Sequence, residues 1–233
     1  PLSGGEAEQL TRAPAEEFGA DLSPDGTEIV FHTWETGSRD IAIQALNAGA
    51  AELLTSTDGQ ESYPRWAPDG SRIAFFSQGG VGEPVYLLER GPDGEWGNSI
   101  HLADSLQRPD WSPDGRFLAG AKQPEWGVGI LDPEDGTIRL IYEPRADTDD
   151  PLVYHPVWSR DGETLYFRSY GEDGIPELWS VPSSGGEARL LVRFDDPLRS
   201  SVRADFTVSD THVYFTVQDR QSDLWVMEVH DGG

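Results

Sequence analysis

Short apolar runs alternate with polar residues along this chain at a period of two, and glycine-rich turns interrupt them. No segment sustains a helical period, so the pattern predicts an all-β protein. The pattern also repeats. Leu22-Ser-Pro-Asp-Gly-Thr-Glu-Ile-Val-Phe31 returns as Trp66-Ala-Pro-Asp-Gly-Ser-Arg-Ile-Ala-Phe75, as Trp111-Ser-Pro-Asp-Gly-Arg-Phe-Leu-Ala-Gly120 and as Trp158-Ser-Arg-Asp-Gly-Glu-Thr-Leu-Tyr-Phe167. A worn copy occupies Phe206–Phe215. The serine or its equivalent stands at 23, 67, 112, 159 and 207, giving spacings of 44, 45, 47 and 48 residues. That is close to the period of a four-stranded propeller blade.

Each unit reads as strand, turn, strand. In Pro-Asp-Gly the proline presets φ, the aspartate bonds its own backbone and the glycine takes a positive φ. A third strand follows, as in Asp40–Ile43, Val85–Leu88, Glu177–Ser180 and Asp223–Val226. A fourth follows in the first four units: Ala51–Thr55, Ser99–Ala103, Ile138–Ile141 and Ala188–Val192. The N-terminus, Pro1-Leu-Ser-Gly-Gly-Glu-Ala-Glu-Gln-Leu-Thr11, matches the third-to-fourth-strand passage Val181–Val192. Ala7–Thr11 is therefore expected to serve as the outer strand of the last blade and to close the ring, hiding the sheet edges. The expectation is one domain over 1–233: a five-bladed β-propeller of four-stranded antiparallel blades at 18–55, 62–103, 107–142, 154–192 and 203–227 plus 7–11.

The Pro-x-Trp-Ser-Pro-Asp-Gly-x-x-Ile-Ala-Phe strand openings and the Asp-Leu-Trp-Val third strand resemble the TolB-type propeller repeat, and the resemblance covers nearly the whole chain. It implies a bacterial binding module, periplasmic or extracellular, within a longer protein. Members include partner-binding proteins, propeller domains of serine peptidases, sensor domains and a few lyases, most with six or more blades. Function varies so widely that the fold alone decides nothing.

Composition narrows the classes. The net charge is −25, from 42 acidic and 17 basic residues, which disfavours nucleic acids and anionic membranes. There is no cysteine, hence no disulfide, thiolate metal site or cysteine nucleophile. No apolar run is long enough for a membrane helix, so no membrane insertion is expected. Met227 is the single methionine, so the chain is expected to begin inside a longer translation product. No Gly-x-Ser-x-Gly elbow, phosphate-binding glycine loop or His-Glu-x-x-His motif is present.

Candidate chemistry emerges when the five first strands, which line a propeller's channel, are aligned. Four residues before the serine stand Gly19, Tyr63, Arg108, His155 and Arg203. Two before it stand Asp21, Arg65, Asp110, Val157 and Asp205. Period-two alternation places both rows on one side of their strands, while Leu22, Trp66, Trp111, Trp158 and Phe206 turn toward blade-to-blade packing. Asp21, Asp110, Asp205 and His155 have the ligand chemistry for a divalent cation such as calcium, manganese or zinc. Arg65, Arg108 and Arg203 either neutralise those carboxylates or hold an anionic ligand. Trp34, Trp126 and Tyr170, in second-to-third-strand loops on the same face, suit a protein, peptide or small-molecule ligand. The acidic inter-blade loop with Asp147, Asp149 and Asp150 reads as solvated. The leading expectation is a binding module that uses the channel mouth. The alternative is a metal-dependent hydrolase of phosphate esters or lactones, with His155 as base or ligand and an arginine steadying the developing anion.

Overall fold

The computed structural model describes residues 9–11, 13–47, 49–78, 82–145, 149–195, 201–209, 211–218 and 224–228, with the backbone alone for 201–205, 216–218 and 224–228. Among these residues there are strands and no helix. The first sheet runs β1 (Glu17–Leu22), β2 (Glu28–Thr33), β3 (Asp40–Ala45) and β4 (Glu52–Leu53). The second is β5 (Glu61–Trp66), β6 (Arg72–Ser77), β7 (Val85–Glu89) and β8 (Ile100–Ala103). The third is β9 (Leu106–Trp111), β10 (Leu118–Lys122), β11 (Gly127–Leu131) and β12 (Ile138–Tyr142). The fourth is β13 (Tyr154–Trp158), β14 (Thr164–Tyr170), β15 (Pro176–Pro182) and β16 (Arg189–Arg193). A last sheet has β17 (Ser201–Val208), β18 (His212–Gln218) and β19 (Leu224–Glu228). All pairings within the sheets are antiparallel. The first strands adjoin one another in the order β1, β5, β9, β13, β17, as the inner strands of a propeller do.

The hairpin turns follow the chemistry of their residues. Gly26, Gly70, Gly115 and Gly162 have φ between 70° and 75°. In three turns the serine hydroxyl donates to the turn aspartate and accepts a main-chain N–H from the returning strand: Ser23 with Asp25 and Glu28, Ser112 with Asp114 and Phe117, Ser159 with Asp161 and Thr164. Where Ala67 replaces serine, Asp69 is held instead by the N–H and hydroxyl of Ser71. The turns also touch one another. A Cβ placed on Gly70, Gly115 or Gly162 would meet Cδ of Pro24, Pro68 or Pro113 of the preceding unit at 3.8, 3.6 and 3.7 Å. Among the described residues nothing lies within 4 Å of the corresponding position at Gly26.

The core is divided between successive blades. Trp66 packs with Val30, Ile41 and Ile43 of the first blade and with Ile73, Phe75 and Leu88 of its own. Trp111 joins Phe76, Val85 and Leu87 to Leu118 and Leu131. Trp158 joins Val128, Ile130 and Tyr142 to Leu165 and Phe167. Each tryptophan thus leans back on the preceding blade, and the Nε1 groups of Trp111 and Trp158 donate to the carbonyls of Arg65 and Asp110 there.

Three expectations require correction. Four sheets have four strands, not five: the last has three among the described residues, with β19 at its edge. Residues 9–11 of the predicted closing strand form no strand, and the Leu10 carbonyl instead accepts from Gln44 Nε2 of β3 at 2.9 Å. Residues 7 and 8 lie outside the described residues. Leu22 also departs from its row. It is 52% exposed, against 5–8% for Trp66, Trp111 and Trp158, because among the described residues none covers the back of the first blade as each blade covers the next. Leucine is also a smaller lever than tryptophan across that distance.

Candidate functional site at the channel mouth

The upper inner row is shaped by a backbone irregularity repeated from blade to blade. In each of the first four inner strands the register slips: between Phe18 and Asp21, between Ser62 and Arg65, opposite Ala119 to Ala121 in β9, and between Tyr154 and Val157. At each slip sits one residue in the left-handed region: Gly19 (φ 64°), Tyr63 (53°), Arg108 (51°) and His155 (52°). Glycine adopts this conformation freely, whereas tyrosine, arginine and histidine do so only when the surroundings over-determine it. A bulge of this kind re-aims a side chain. Here it turns three large polar side chains toward one another.

Their contacts are close. The Arg108 guanidinium carbon lies 4.2 Å from the centroid of the Tyr63 ring. The Tyr63 ring meets His155 edge-on, with centroids 6.1 Å apart, and Phe206 lies 5.6 Å from His155 on the other side. Arg108 Nη1 is 3.4 Å from His155 Nδ1, and Arg65 Nη2 is 3.4 Å from His155 Nε2. His155 is buried; Tyr63, Arg65 and Arg108 are partly exposed.

The lower row does different work. Asp21 Oδ2 accepts the main-chain N–H of Trp66 at 2.8 Å, and Asp110 Oδ2 accepts that of Trp158 at the same distance. Each carboxylate therefore ties its blade to a later inner strand. Burial raises the Asp21 pKa against the opposing influences of Arg65 and the N–H bonds. Burial also pushes Asp110 up to about 6, with Arg65 and the Trp158 N–H opposing it and Asp21 adding to it. Among the described residues no three His, Asp or Glu side chains are grouped to hold a metal ion. Of the proposed ligand set, Asp21 and Asp110 serve backbone donors, His155 lies between two arginines, and the Asp205 side chain falls outside the described residues, as does that of Arg203.

The loop aromatics fall into two groups. Trp34 stands edge-on to Phe18 and His32 at 5.9 and 5.6 Å, with the Arg39 guanidinium 5.2 Å from its ring. His32 in turn lies 5.6 Å from Tyr63 and accepts the Tyr63 N–H on Nδ1 at 3.4 Å. This continuity makes His32 and Phe18 part of the mouth. Burial, followed by Arg39, Arg65 and Arg108, holds His32 down at about 4, so it is neutral at pH 7. Trp126 and Tyr170 form the second group through Tyr154, with centroids 5.1 and 5.6 Å from that ring. Tyr170 is 43% exposed. Tyr154 and Phe18 had no distinguishing signal in the sequence beyond lying beside the inner row. The inter-blade loop is partly tied down, with Asp150 accepting two side-chain bonds from Arg145. Asp147 lies outside the described residues.

No family model matches the sequence, and none of the curated proteins matches it. Solved structures do. A putative TolB from Agrobacterium tumefaciens aligns over 96% of this chain and 81% of its own, with 18% identity and a TM-score of 0.72. TolB from Acinetobacter baumannii aligns over 96% of this chain and 57% of its own, with 13% identity and a TM-score of 0.65. An oligogalacturonate lyase solved with manganese aligns over 95% of this chain and 67% of its own, with 17% identity and a TM-score of 0.64. At these identities the likeness is one of architecture, and the chain has the fold of a TolB-like β-propeller.

Proposed function

We propose that this chain is a non-enzymatic binding module that receives part of a protein, peptide or small-molecule ligand at the channel mouth. The observation that carries this reading is the row of left-handed residues. Tyr63, Arg108 and His155 occupy strained backbone at equivalent places in three successive blades, and their side chains converge. The inter-blade cores are built around the tryptophan row; Tyr63 also packs against the second of them, stacked on Phe76, whereas Arg108 and His155 belong to none of these apolar clusters. Strain maintained at one rim of a rigid scaffold is characteristic of ligand sites. The flanking Trp34 and Trp126 add large, stiff contact surfaces. An exported location is part of the proposal, supported by the TolB-like architecture and the lack of cysteine.

The test is a fragment and short-peptide screen by thermal shift, repeated on Tyr63→Ala and Trp34→Ala. Ligands of the wild-type protein should lose most of their stabilisation in both variants. Ligands that stabilise wild type and both variants equally would place binding elsewhere and overturn the proposal.

A further inference from the structure

The two guanidiniums at the mouth have more donors than the described residues around them offer acceptors. Arg65 and Arg108 approach opposite nitrogens of the same imidazole, each at 3.4 Å. A neutral imidazole has one lone pair in its plane and one N–H, so it can accept from only one of them. Arg65 gives Nη1 to its neighbouring Pro64 carbonyl at 3.0 Å. Arg108 uses the face of its guanidinium on Tyr63, which leaves the N–H edge for other partners. Among the described residues neither arginine has a carboxylate within 4 Å. Asp21 and Asp110, which feel the charge of Arg65, turn an oxygen to the N–H groups of Trp66 and Trp158.

Several other arginines among the described residues are better supplied with acceptors: Arg90, Arg145 and Arg193 each pair with a carboxylate, and Arg39 donates to the side-chain oxygens of both Gln60 and Gln78. Arg65 and Arg108, side by side at one rim and with no carboxylate within 4 Å among the described residues, concentrate positive charge in a strongly negative molecule, with Asp21 and Asp110 offsetting part of the charge of Arg65. The Tyr63 and Phe206 rings border it and lower its dielectric, which strengthens any charge-assisted bond made there.

We propose that Arg65 and Arg108 together bind a carboxylate group of the ligand, directly over His155. The planar fork of arginine matches the two oxygens of a carboxylate, and two such forks at one site select for it over a neutral group. The carboxylate can belong to a free small acid or to an acidic side chain of a peptide. The inference rests on the reading of the mouth as a binding site and specifies its ligand chemistry.

The experiment follows the His155 and Tyr63 ring resonances of the whole chain by NMR at constant ionic strength. The probes are glutarate, N-acetyl-glutamate amide and a tripeptide with a central glutamate, with the glutamine tripeptide and sodium chloride as controls. Saturable shifts with the carboxylates, and none with the controls, are expected. Arg65→Gln and Arg108→Gln should each weaken binding about tenfold or more. If either glutamine variant fails to fold, Arg→Lys at that position keeps the charge and should retain part of the affinity. Glutarate alone shifting the rings assigns a small acid; the glutamate tripeptide binding more tightly assigns a peptide. Carboxylates that act no differently from chloride, or that bind both glutamine variants as well as wild type, overturn this inference. If uncharged ligands from the thermal-shift screen then move the same rings, the mouth remains a binding site and only its ligand chemistry is wrong. If nothing moves them, both readings fall.

Discussion

The carboxylate of Asp110 accepts the main-chain N–H of Trp158 at 2.8 Å, across the junction between the third and fourth blades. An aspartate on the channel side of an inner strand therefore acts as a fastener for the neighbouring strand. Asp110→Ala leaves that N–H without its acceptor, and unfolding in urea should show a loss of about 1–3 kcal/mol. Asp110→Asn keeps an acceptor and should lose less.

The pH dependence of this fastener has a definite sign. Its carboxyl is raised to about 6 in the folded chain, above the ordinary aspartate value of 3.8. The folded state therefore holds the proton more tightly than the unfolded one. The resulting stability is fully present below about pH 4 and is lost as pH rises through 6. Asp110→Asn should remove this contribution, and chemical denaturation at intervals from pH 4 to 7 measures the difference.

His32 acts in the opposite direction over nearly the same range. Its folded value of about 4 lies below the ordinary 6.5, so its contribution is present above pH 6.5 and is lost as pH falls toward 4. The imidazole of His32 should remain neutral by NMR down to about pH 5. A midpoint near 6.5 would contradict its burial beside Arg39, Arg65 and Arg108.

Leu22 and Trp111 occupy the same place in their units but should respond differently to truncation. Trp111 is 5% exposed and bonded through Nε1 to the preceding blade, so Trp111→Ala should cost about 3–5 kcal/mol. Leu22 is 52% exposed, and Leu22→Ala should stay within about 0.5 kcal/mol. Equal losses would mean that the back of the first blade is covered in solution.

Gly120 stands where the four other units have phenylalanine. Leu106 fills the space: a Cβ on Gly120 would press into its side chain and lie 2.9 Å from the Gln107 carbonyl oxygen. Gly120→Ala should destabilise by about 1–3 kcal/mol through overpacking, measured by the urea midpoint.

The hairpin turns were legible in the sequence because their chemistry is local: Pro-Asp-Gly and the serine before it satisfy one another within six residues. The sheet order followed from the repeat. The task of Asp21 and Asp110 was not legible, since their acceptor role depends on a backbone N–H 45 and 48 residues further on. Nor were the bulges. Tyrosine, arginine and histidine do not signal a positive φ, and Gly19, aligned with them, was the one local clue. The exposure of Leu22 was invisible because it reads as apolar wherever it lies.

The touching turns give the blade array a direction. Pro24, Pro68 and Pro113 each face forward onto a glycine of the following unit, while no described residue stands within 4 Å of the corresponding position at Gly26. The fourth unit has Arg160 in place of the proline, so the row of such contacts stops there. Units one to three each carry a forward tooth, the glycine sockets of units two to four receive them, and the series of such contacts runs from the first unit to the fourth. Duplicating or transplanting a blade would succeed with a whole tooth-and-socket unit cut at its inter-blade loops, and not with a fragment that separates Pro-Asp-Gly from the strands it joins.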